Sequence, residues 1–341
     1  MTRDPVLRLT AFPDGPDGGN PAGVVLDATA LDAVDMQRIA AEVGYAETAF
    51  VVDRAVDGDE RAVATRYFSP IAEVPFCGHA TIATAVALAE RRGPGAFRFE
   101  TAVGPVVIDT TRDGATRVGA THDDTTRVGT GDGTSGGGTR GGGTGGDGPG
   151  GDGPGHGEAG LRAAFTSVEP RTRPLPAGAA DELLGLLGLG RDDLDPAWPL
   201  DEAFAGNWHP VVALASRRVF DAFSFDPGAV RELMDRQGWT GTVTVLCTEG
   251  VDLGAARAAG QPLPAVEARN LFPVGTVVED PATGSAAAAL GAYLRAAGLL
   301  APPARFVVRQ GRHVGRPSLL TVDVPPAGGV TVSGTADVIV G

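Results

Sequence analysis

Two polar side chains, His79 and Ser285, each follow a glycine at the start of a segment of small apolar residues. This pattern is typical of a turn that opens a buried helix. The first turn of a helix has unpaired backbone N–H groups and partial positive charge, so it favours a neutral imidazole. We expect His79 to be a hydrogen-bond donor or proton relay and Ser285 to donate to a substrate carboxylate. The alternative is that both residues only cap their helices.

Two carboxylates complete the set of residues that could transfer a proton. Glu47 stands at the start of a predicted strand, and burial beside an apolar cleft would raise its pKa toward the working pH of a general base. Asp280 lies five residues before Ser285, where it could orient His79 or a substrate amine. The alternatives are a surface ion pair for Glu47 and a simple turn before Pro281 for Asp280.

The segments around these residues read as copies of one another. Glu73-Val-Pro-Phe-Cys-Gly-His-Ala-Thr81 continues into the apolar stretch Ile82 to Ala89, and Glu279-Asp-Pro-Ala-Thr-Gly-Ser-Ala-Ala287 continues into Ala288 to Leu294. Four further pairs of segments keep one order in the two halves: Gly19-Asn20-Pro21 with Gly206–Pro210, Gly44–Val51 with Gly238–Val245, Arg66–Pro70 with Arg269–Pro273, and Phe97–Glu100 with Arg305–Val308. A duplicated domain explains these pairs better than chance does. One buried helix per half would bring two helix N-termini to a shared cleft, where they suit a carboxylate.

The two copies differ where chemistry would need them to differ. The counterpart of Glu47 in the second half is Gly241, so the carboxylate is present in one copy only, as suits a single base. Cys77 is matched by Thr283. At a helix start the thiol of Cys77 could have a lowered pKa, but a small buried residue is an equally good interpretation.

The composition excludes several classes of function. The net charge of −14 argues against nucleic-acid binding, which needs a basic surface. The chain contains no lysine, so all 28 basic residues are arginine, and neither a lysine Schiff base nor a Walker A loop is possible. The five histidines are scattered and there is no CxxC motif, so we predict no metal site and no cofactor. A cofactor-free mechanism or simple binding remains.

The sequence also predicts where the protein is found. It has no run of eighteen apolar residues, so we predict no membrane span. The N-terminus lacks a charged segment followed by an apolar core, which would indicate a signal peptide. We therefore expect a cytoplasmic protein that does not associate with membranes.

Four regions are predicted along the chain. An N-terminal domain covers 1–111, a C-terminal domain covers 159–327, and strands in 328–341 pair back onto the first domain. Between the domains, 112–158 is a glycine-rich tract that cannot bury enough apolar surface to fold, so we interpret it as a flexible insertion. The predicted fold class is α+β, with two pseudo-symmetric domains, each a barrel-like β-sheet around a central apolar helix.

Five motifs occur in one order along the chain: Asn20-Pro21-Ala22, Glu47-Thr48-Ala49-Phe50, Phe76-Cys-Gly-His-Ala-Thr81, Glu279-Asp-Pro-Ala-Thr-Gly-Ser-Ala286, and Gln310-Gly311 with Gly315-Arg-Pro-Ser318. Together they resemble the PhzF family of phenazine biosynthesis, which has the diaminopimelate epimerase fold. The resemblance covers nearly the whole chain except 112–158, and it implies a homodimer. The residues of the family's motifs fall on Glu47, His79, Asp280 and Ser285.

The resemblance implies a cofactor-independent isomerase. In the characterised phenazine enzyme these positions serve the isomerisation of trans-2,3-dihydro-3-hydroxyanthranilate. Glu47 would remove a proton from a carbon next to an unsaturated or carboxylated centre and return it elsewhere. The substrate carboxylate would be bound at the two helix starts, by Gly78, Thr283 and Gly284.

Two alternatives remain open. The first is an epimerase, racemase or dehydratase of a small amino or hydroxy acid, because Cys77-Gly78-His79 also resembles the proline racemase and hydroxyproline dehydratase branch. A symmetric racemase with one cysteine from each half is disfavoured, since Thr283 stands opposite Cys77 and Cys247 lies in a strand-like segment. The second is a non-catalytic protein that binds a small molecule on the same fold.

Overall fold

The computed structural model describes residues 5–112, 160–254, 263–274 and 277–339, so the predicted insertion lies almost entirely outside the described residues. The strands are β1 (Leu7–Ala11), β2 (Asn20–Val25), β3 (Glu47–Asp53), β4 (Ala62–Phe68), β5 (Glu73–Val74), β6 (Gly95–Thr101), β7 (Gly104–Arg112), β8 (Leu161–Thr166), β9 (Arg171–Pro174), β10 (Asp201–Phe204), β11 (Trp208–Leu214), β12 (Val243–Cys247), β13 (Val266–Val274), β14 (Val277–Asp280), β15 (Ala304–Gln310), β16 (Ser318–Val324) and β17 (Thr331–Val338). The helices are α1 (Ala33–Val43), α2 (Gly78–Arg92), α3 (Ala177–Leu186), α4 (Arg217–Ala222), α5 (Pro227–Gln237) and α6 (Gly284–Ala296).

Eight strands close into a barrel around α2. In order around the barrel they are β1, β2, β3, β4, β6, β7, β8 and β17, and β17 pairs again with β1. Every residue of α2 from His79 to Ala89 is buried, and the helix contacts strands on all sides. A helix of small residues that is apolar all round has no face for water, so it is stable only inside such a shell.

The second half repeats this order around α6. β10 and β11 form an antiparallel pair, β11 runs parallel to β12, and β13, β15, β16 and β17 follow in turn. α6 is buried from Ala286 to Leu294 and contacts β9, β10, β11, β16 and β17. The predicted fold class, α+β with two pseudo-symmetric barrel-like domains around apolar helices, is confirmed.

β17 connects the two halves. The start of β17 pairs with β16, from Thr331 opposite Asp323, and the end pairs with β1, from Ala336 opposite Ala11. One edge of β8 pairs with β17, from Arg162 opposite Thr335 to Thr166 opposite Thr331. The other edge pairs with β7, from Leu161 opposite Arg112 to Phe165 opposite Ile108. The C-terminal strand β17 thus belongs to the sheets of both halves and joins the shells around the two central helices.

Helices on the outside of the sheets differ between the halves. The first half has α1, which packs Met36 and Ala40 against Phe50 in an outer cluster. The second half has α3, α4 and α5, whose buried residues include Leu183, Phe220 and Leu233. Among the described residues, no helix is both long enough and apolar enough to cross a membrane.

Candidate active site

Glu47 begins β3, close to the N-terminus of α2. One carboxylate oxygen, Oε2, lies 3.5 Å from Nε2 of His79 and 3.6 Å from Sγ of Cys77, and the side chain is 17% exposed. Burial, together with the negative charge of Asp280, raises the pKa of Glu47 from its ordinary value of 4.5 to about 7, although the Cys77 thiol opposes the shift. A carboxyl group that titrates near neutrality can both accept and return a proton.

Asn20 fixes the imidazole of His79. Its amide nitrogen Nδ2 lies 2.6 Å from Oδ1 of Asp280, 3.1 Å from Nδ1 of His79 and 3.2 Å from the carbonyl oxygen of Ala282, so its two N–H groups are shared among three acceptors. An amide nitrogen only donates, so Nδ1 of His79 accepts and Nε2, the nitrogen nearer Glu47, carries the proton. Burial lowers the pKa of His79 to about 4, so the ring is neutral at pH 7.

Asp280 ends β14 and is held from several sides. Oδ1 accepts from Asn20, and Oδ2 accepts from the Thr283 hydroxyl at 2.5 Å. Gln310 donates to the backbone carbonyl of Asp280 at 2.5 Å and to the Thr283 hydroxyl at 3.0 Å. Burial raises the pKa of Asp280 to about 6 against the opposing effect of these hydrogen bonds. We predicted that Asp280 orients His79 or a substrate amine; the structure places Asn20 in contact with both Asp280 and His79.

The starts of α2 and α6 present backbone donors beside this network. The first helical hydrogen bonds are accepted by the carbonyls of Cys77 and Thr283, and neither side chain caps its own helix. The N–H groups of Gly78 and Gly284 therefore have no acceptor within their helices. Asn20 donates to Ala282 O just before α6, so the helix starts converge on one region. Such a pair of N-termini suits an anionic group.

Ser285, the second residue of α6, contacts His209 of β11. Nε2 of His209 lies 3.1 Å from Oγ of Ser285, and Nδ1 lies 2.9 Å from the backbone N–H of Thr242. The ring is fully buried, and burial lowers the pKa of His209 to about 4. The neutral imidazole of His209 thus contacts Ser285 at the start of α6. In the same way, the amide of Asn20 contacts His79 at the start of α2.

The structure gives Glu47 a different counterpart from the one expected. The residue after Glu47 pairs with Phe68, and the residue after Thr242 pairs with Leu271. Phe68 and Leu271 are matched in the repeat, so Thr242 rather than Gly241 occupies the position of Glu47. Glu47 lies four positions after the last residue of α1, whereas Thr242 lies five positions after the last residue of α5, and this one additional residue shifts the register. A carboxylate is still present in only one half.

The predicted site residues fall into one region, and three further residues join them. Glu47, His79 and Asp280 belong to one network, with Thr283 attached to it and the helix starts at Gly78, Gly284 and Ser285 beside it. The residues that we did not predict are Asn20, His209 and Gln310. Asn20 and Gln310 lie in the family motifs, and His209 lies in a segment of the repeat. Membership of these segments was the feature of the sequence that could have indicated them as site residues.

Among the residues that the structure describes, two groups of side chains could together hold a metal ion. Ligand atoms of Glu47, Cys77 and His79 lie within 4.8 Å of one another. Burial raises the pKa of the Cys77 thiol well above its ordinary value, and a protonated thiol is a poor ligand. On the outer surface, Arg217 and Arg312 already bind the carboxylates of a second group, which comprises Asp221, Glu267 and His313.

Comparison with known proteins identifies the family of this chain. The family of phenazine biosynthesis-like proteins, PhzC-PhzF, matches residues 9–129 and 162–340. An uncharacterised isomerase of Escherichia coli, YddE, is 30% identical over 346 residues, which cover 98% of this chain and 96% of that protein. The trans-2,3-dihydro-3-hydroxyanthranilate isomerase of Pseudomonas chlororaphis is 28% identical over 312 residues, covering 92% and 87% of the two chains.

A solved structure shows the same fold. The structure described as a predicted epimerase from Pseudomonas aeruginosa superposes with a TM-score of 0.70 at 24% identity, covering 98% of this chain and 96% of that one. The match of the family over most of both halves, together with the relatives that are named isomerases, identifies the class of protein. This chain belongs to the phenazine biosynthesis-like PhzC-PhzF family, and it is an isomerase.

Proposed function

We propose that the chain is a cofactor-independent isomerase of the PhzF type, in which Glu47 moves a proton between two positions of a small carboxylated substrate. The observation that carries the proposal is the environment of Glu47. Its carboxyl group is buried beside Asp280, has a pKa of about 7, and contacts neutral His79. These are the properties of a group that removes and returns protons at neutral pH.

The proposed reaction is balanced within the substrate. Ionised Glu47 takes a proton from a carbon next to an unsaturated or carboxylated centre, and the electron pair left behind shifts along the conjugated system. The carboxylic acid so formed exchanges its proton with solvent, since the side chain is 17% exposed, and then delivers a proton to another carbon, so that Glu47 is ionised again. The N–H groups at the starts of α2 and α6 would bind the substrate carboxylate and stabilise the negative charge that develops.

Asp280 and Glu47 would have different roles in the reaction, because their different environments give the two carboxyl groups different pKa values. Asp280, at about 6, is mostly ionised at pH 7, whereas Glu47, at about 7, is close to half ionised. The charge of Asp280 makes Glu47 a stronger base. Asp280 itself is engaged by Asn20 and Thr283. It therefore supports Glu47 from a fixed position and could hold a cationic substrate group.

The test is proton NMR in deuterium oxide with trans-2,3-dihydro-3-hydroxyanthranilate, the compound in the name of the Pseudomonas chlororaphis relative. The wild-type chain should consume the substrate and incorporate deuterium, and Glu47→Gln should do neither. Glu73→Gln, which removes an exposed glutamate paired with Arg66, is the matched control and should remain active. Full activity of Glu47→Gln would refute the assigned base. Exchange with a different small carboxylate alone would refute only the substrate.

A second candidate function is epimerisation, racemisation or dehydration of a small amino or hydroxy acid. The Cys77 thiol favours it, since Sγ lies 3.6 Å from Glu47 and 3.3 Å from Nδ1 of His79. A second cysteine does not take part, because Cys247 ends β12 and packs in the outer cluster of the second half. Loss of all activity in Cys77→Ala would favour this candidate, whereas retained activity favours the PhzF type.

The assembly and the ligand class are proposals as well. From the family resemblance we propose a homodimer that binds a small carboxylate and neither nucleic acid nor membranes. Light scattering of the full chain should give twice the mass of the 34.5 kDa protomer. A mass of one protomer at micromolar concentration would contradict the dimer without affecting the assignment of Glu47.

A further inference from the structure

The two halves of the site contain the same contact with the residue types exchanged. In the first half, Asn20 of β2 lies 3.1 Å from His79, the second residue of α2. In the second half, His209 of β11 lies 3.1 Å from Ser285, the second residue of α6. A proline follows both Asn20 and His209 in the sequence. Each half therefore uses a strand residue to orient the side chain at the start of its central helix.

Space for the His209 ring is created by a glycine. A Cβ atom at Gly241 would lie 2.3 Å from Cε1 of His209 and 2.6 Å from each ring nitrogen. The ring is fully buried and contacts Thr242 on one side and Ser285 on the other. His209 is thus held in one orientation by packing as well as by hydrogen bonds.

The contacts with Thr242 decide which nitrogen of His209 carries the proton. Nδ1 lies 2.9 Å from the backbone N–H of Thr242 and 3.1 Å from both its carbonyl and its hydroxyl oxygen. The N–H can only donate, and its contact is the shortest. The hydroxyl donates its own proton to Oδ1 of Asn270, so it is hydrogen-bonded without the ring. A buried N–H left unpaired is rarer than an under-satisfied carbonyl. Nδ1 is therefore the acceptor, and in a neutral ring Nε2–H donates to Ser285.

This direction of donation determines what Ser285 can do. Its oxygen accepts from His209, so its own proton is free to be donated toward the region where the first-turn N–H groups of α6 point. A serine activated as a nucleophile needs the opposite arrangement, in which the imidazole nitrogen accepts the hydroxyl proton. The contact therefore suits binding of an anionic oxygen and does not suit acyl transfer.

We propose that His209 is a positioning residue that holds the hydroxyl of Ser285 as a donor to the carboxylate, or to the developing oxyanion, of the substrate. The inference rests on the proposed isomerase function for the nature of the ligand. The orientation of Ser285 and the protonated nitrogen of His209 are properties of the free protein. They are therefore measurable whether or not a substrate is found.

The first test is nitrogen NMR of the full chain with labelled histidine. The signals of His209 are those that disappear in His209→Gln, and His313→Gln serves as a control that removes a different set. We expect a proton on Nε2 and none on Nδ1 at pH 7, and a shifted Nε2 signal in Ser285→Ala. A proton on Nδ1, a doubly protonated ring, or an unchanged Nε2 signal in Ser285→Ala would overturn the inference.

The second test compares His209→Gln with His209→Met in the isomerase assay. The two side chains have nearly the same length, but only glutamine donates a hydrogen bond. His209→Met and Ser285→Ala should each lower kcat/KM roughly 3- to 10-fold, the effect of one hydrogen bond, and the double variant should lose no more. His209→Gln should stay within about twofold of wild type. Fully additive losses, or equal losses for glutamine and methionine, would refute the positioning role. If the wild-type chain turns over no substrate, the proposed function fails and the NMR test still decides the role of His209.

Discussion

Replacing Glu47 with glutamine should stabilise the protein at alkaline pH while it abolishes activity. The pKa of the Glu47 carboxyl is raised from 4.5 to about 7 in the folded protein, so the folded state binds the proton more tightly than the unfolded state does. Stability contributed by the protonated group is therefore complete below pH 4.5 and is lost as the pH rises through 7. The shift corresponds to roughly 3 kcal/mol.

Urea unfolding of the wild type and of Glu47→Gln between pH 4 and pH 8 measures this effect. The two proteins should have similar free energies of unfolding near pH 4, and Glu47→Gln should be more stable by roughly 3 kcal/mol at pH 8. Glu42→Gln is the matched control, because it removes an exposed glutamate of α1 and should give no such gain. Parallel pH profiles for wild type and Glu47→Gln would refute the reasoning, since they would show that Glu47 is ionised at no cost.

Three further predictions concern the same network. kcat/KM should rise with pH through about 7, because the base must be ionised, and a rate that is flat from pH 5 to 9 would contradict the role of Glu47. Asn20→Ala removes a donor from the buried carboxylate of Asp280, so it should lower the free energy of unfolding by roughly 1.5 to 3 kcal/mol at pH 8 and by less at pH 5, as measured in urea. Equal losses at both pH values would show that the contact does not depend on the charge. Gly241→Ala should displace the His209 ring and reduce kcat/KM to the level of His209→Met; wild-type activity in steady-state assays would show that the ring position does not matter.

The central helices could be predicted from the sequence because their signal is local. The stretches Ile82 to Ala89 and Ala288 to Leu294 contain only small or apolar residues, and such segments are stable only when enclosed. Because the segments that flank the two helices are also repeated, the sequence predicted that strands enclose the central helix in each half. This reasoning led to the α+β fold with two barrel-like domains, and to the helix starts at Gly78 and Gly284.

Contacts between residues far apart in the chain could not be predicted in the same way. Asn20 and Asp280 are separated by 260 positions, and only the closed barrels bring them together. Neither the composition nor the spacing around Asn20 shows that it separates Asp280 from His79. α5 lies between β11 and β12 as α1 lies between β2 and β3, but α3 and α4 have no counterpart in the first half that the repeat could reveal.

The register at Gly241 shows a further limit of reasoning from repeats. A sequence alignment without gaps matched Gly241 with Glu47, whereas strand pairing matches Thr242. One additional residue between helix and strand changes the counterpart, and pairing across the sheet is what reveals the change. The glycine has a physical role all the same, because it makes room for His209.

A carbon NMR titration of the full chain labelled at glutamate measures the pKa of the Glu47 carboxyl group itself. The signal is identified by its absence in Glu47→Gln. We expect a midpoint at about pH 7, because burial and the negative charge of Asp280 both raise the pKa. A midpoint near 4.5, the ordinary value, would show that Glu47 is not held in a desolvated cleft and would contradict its assignment as the base.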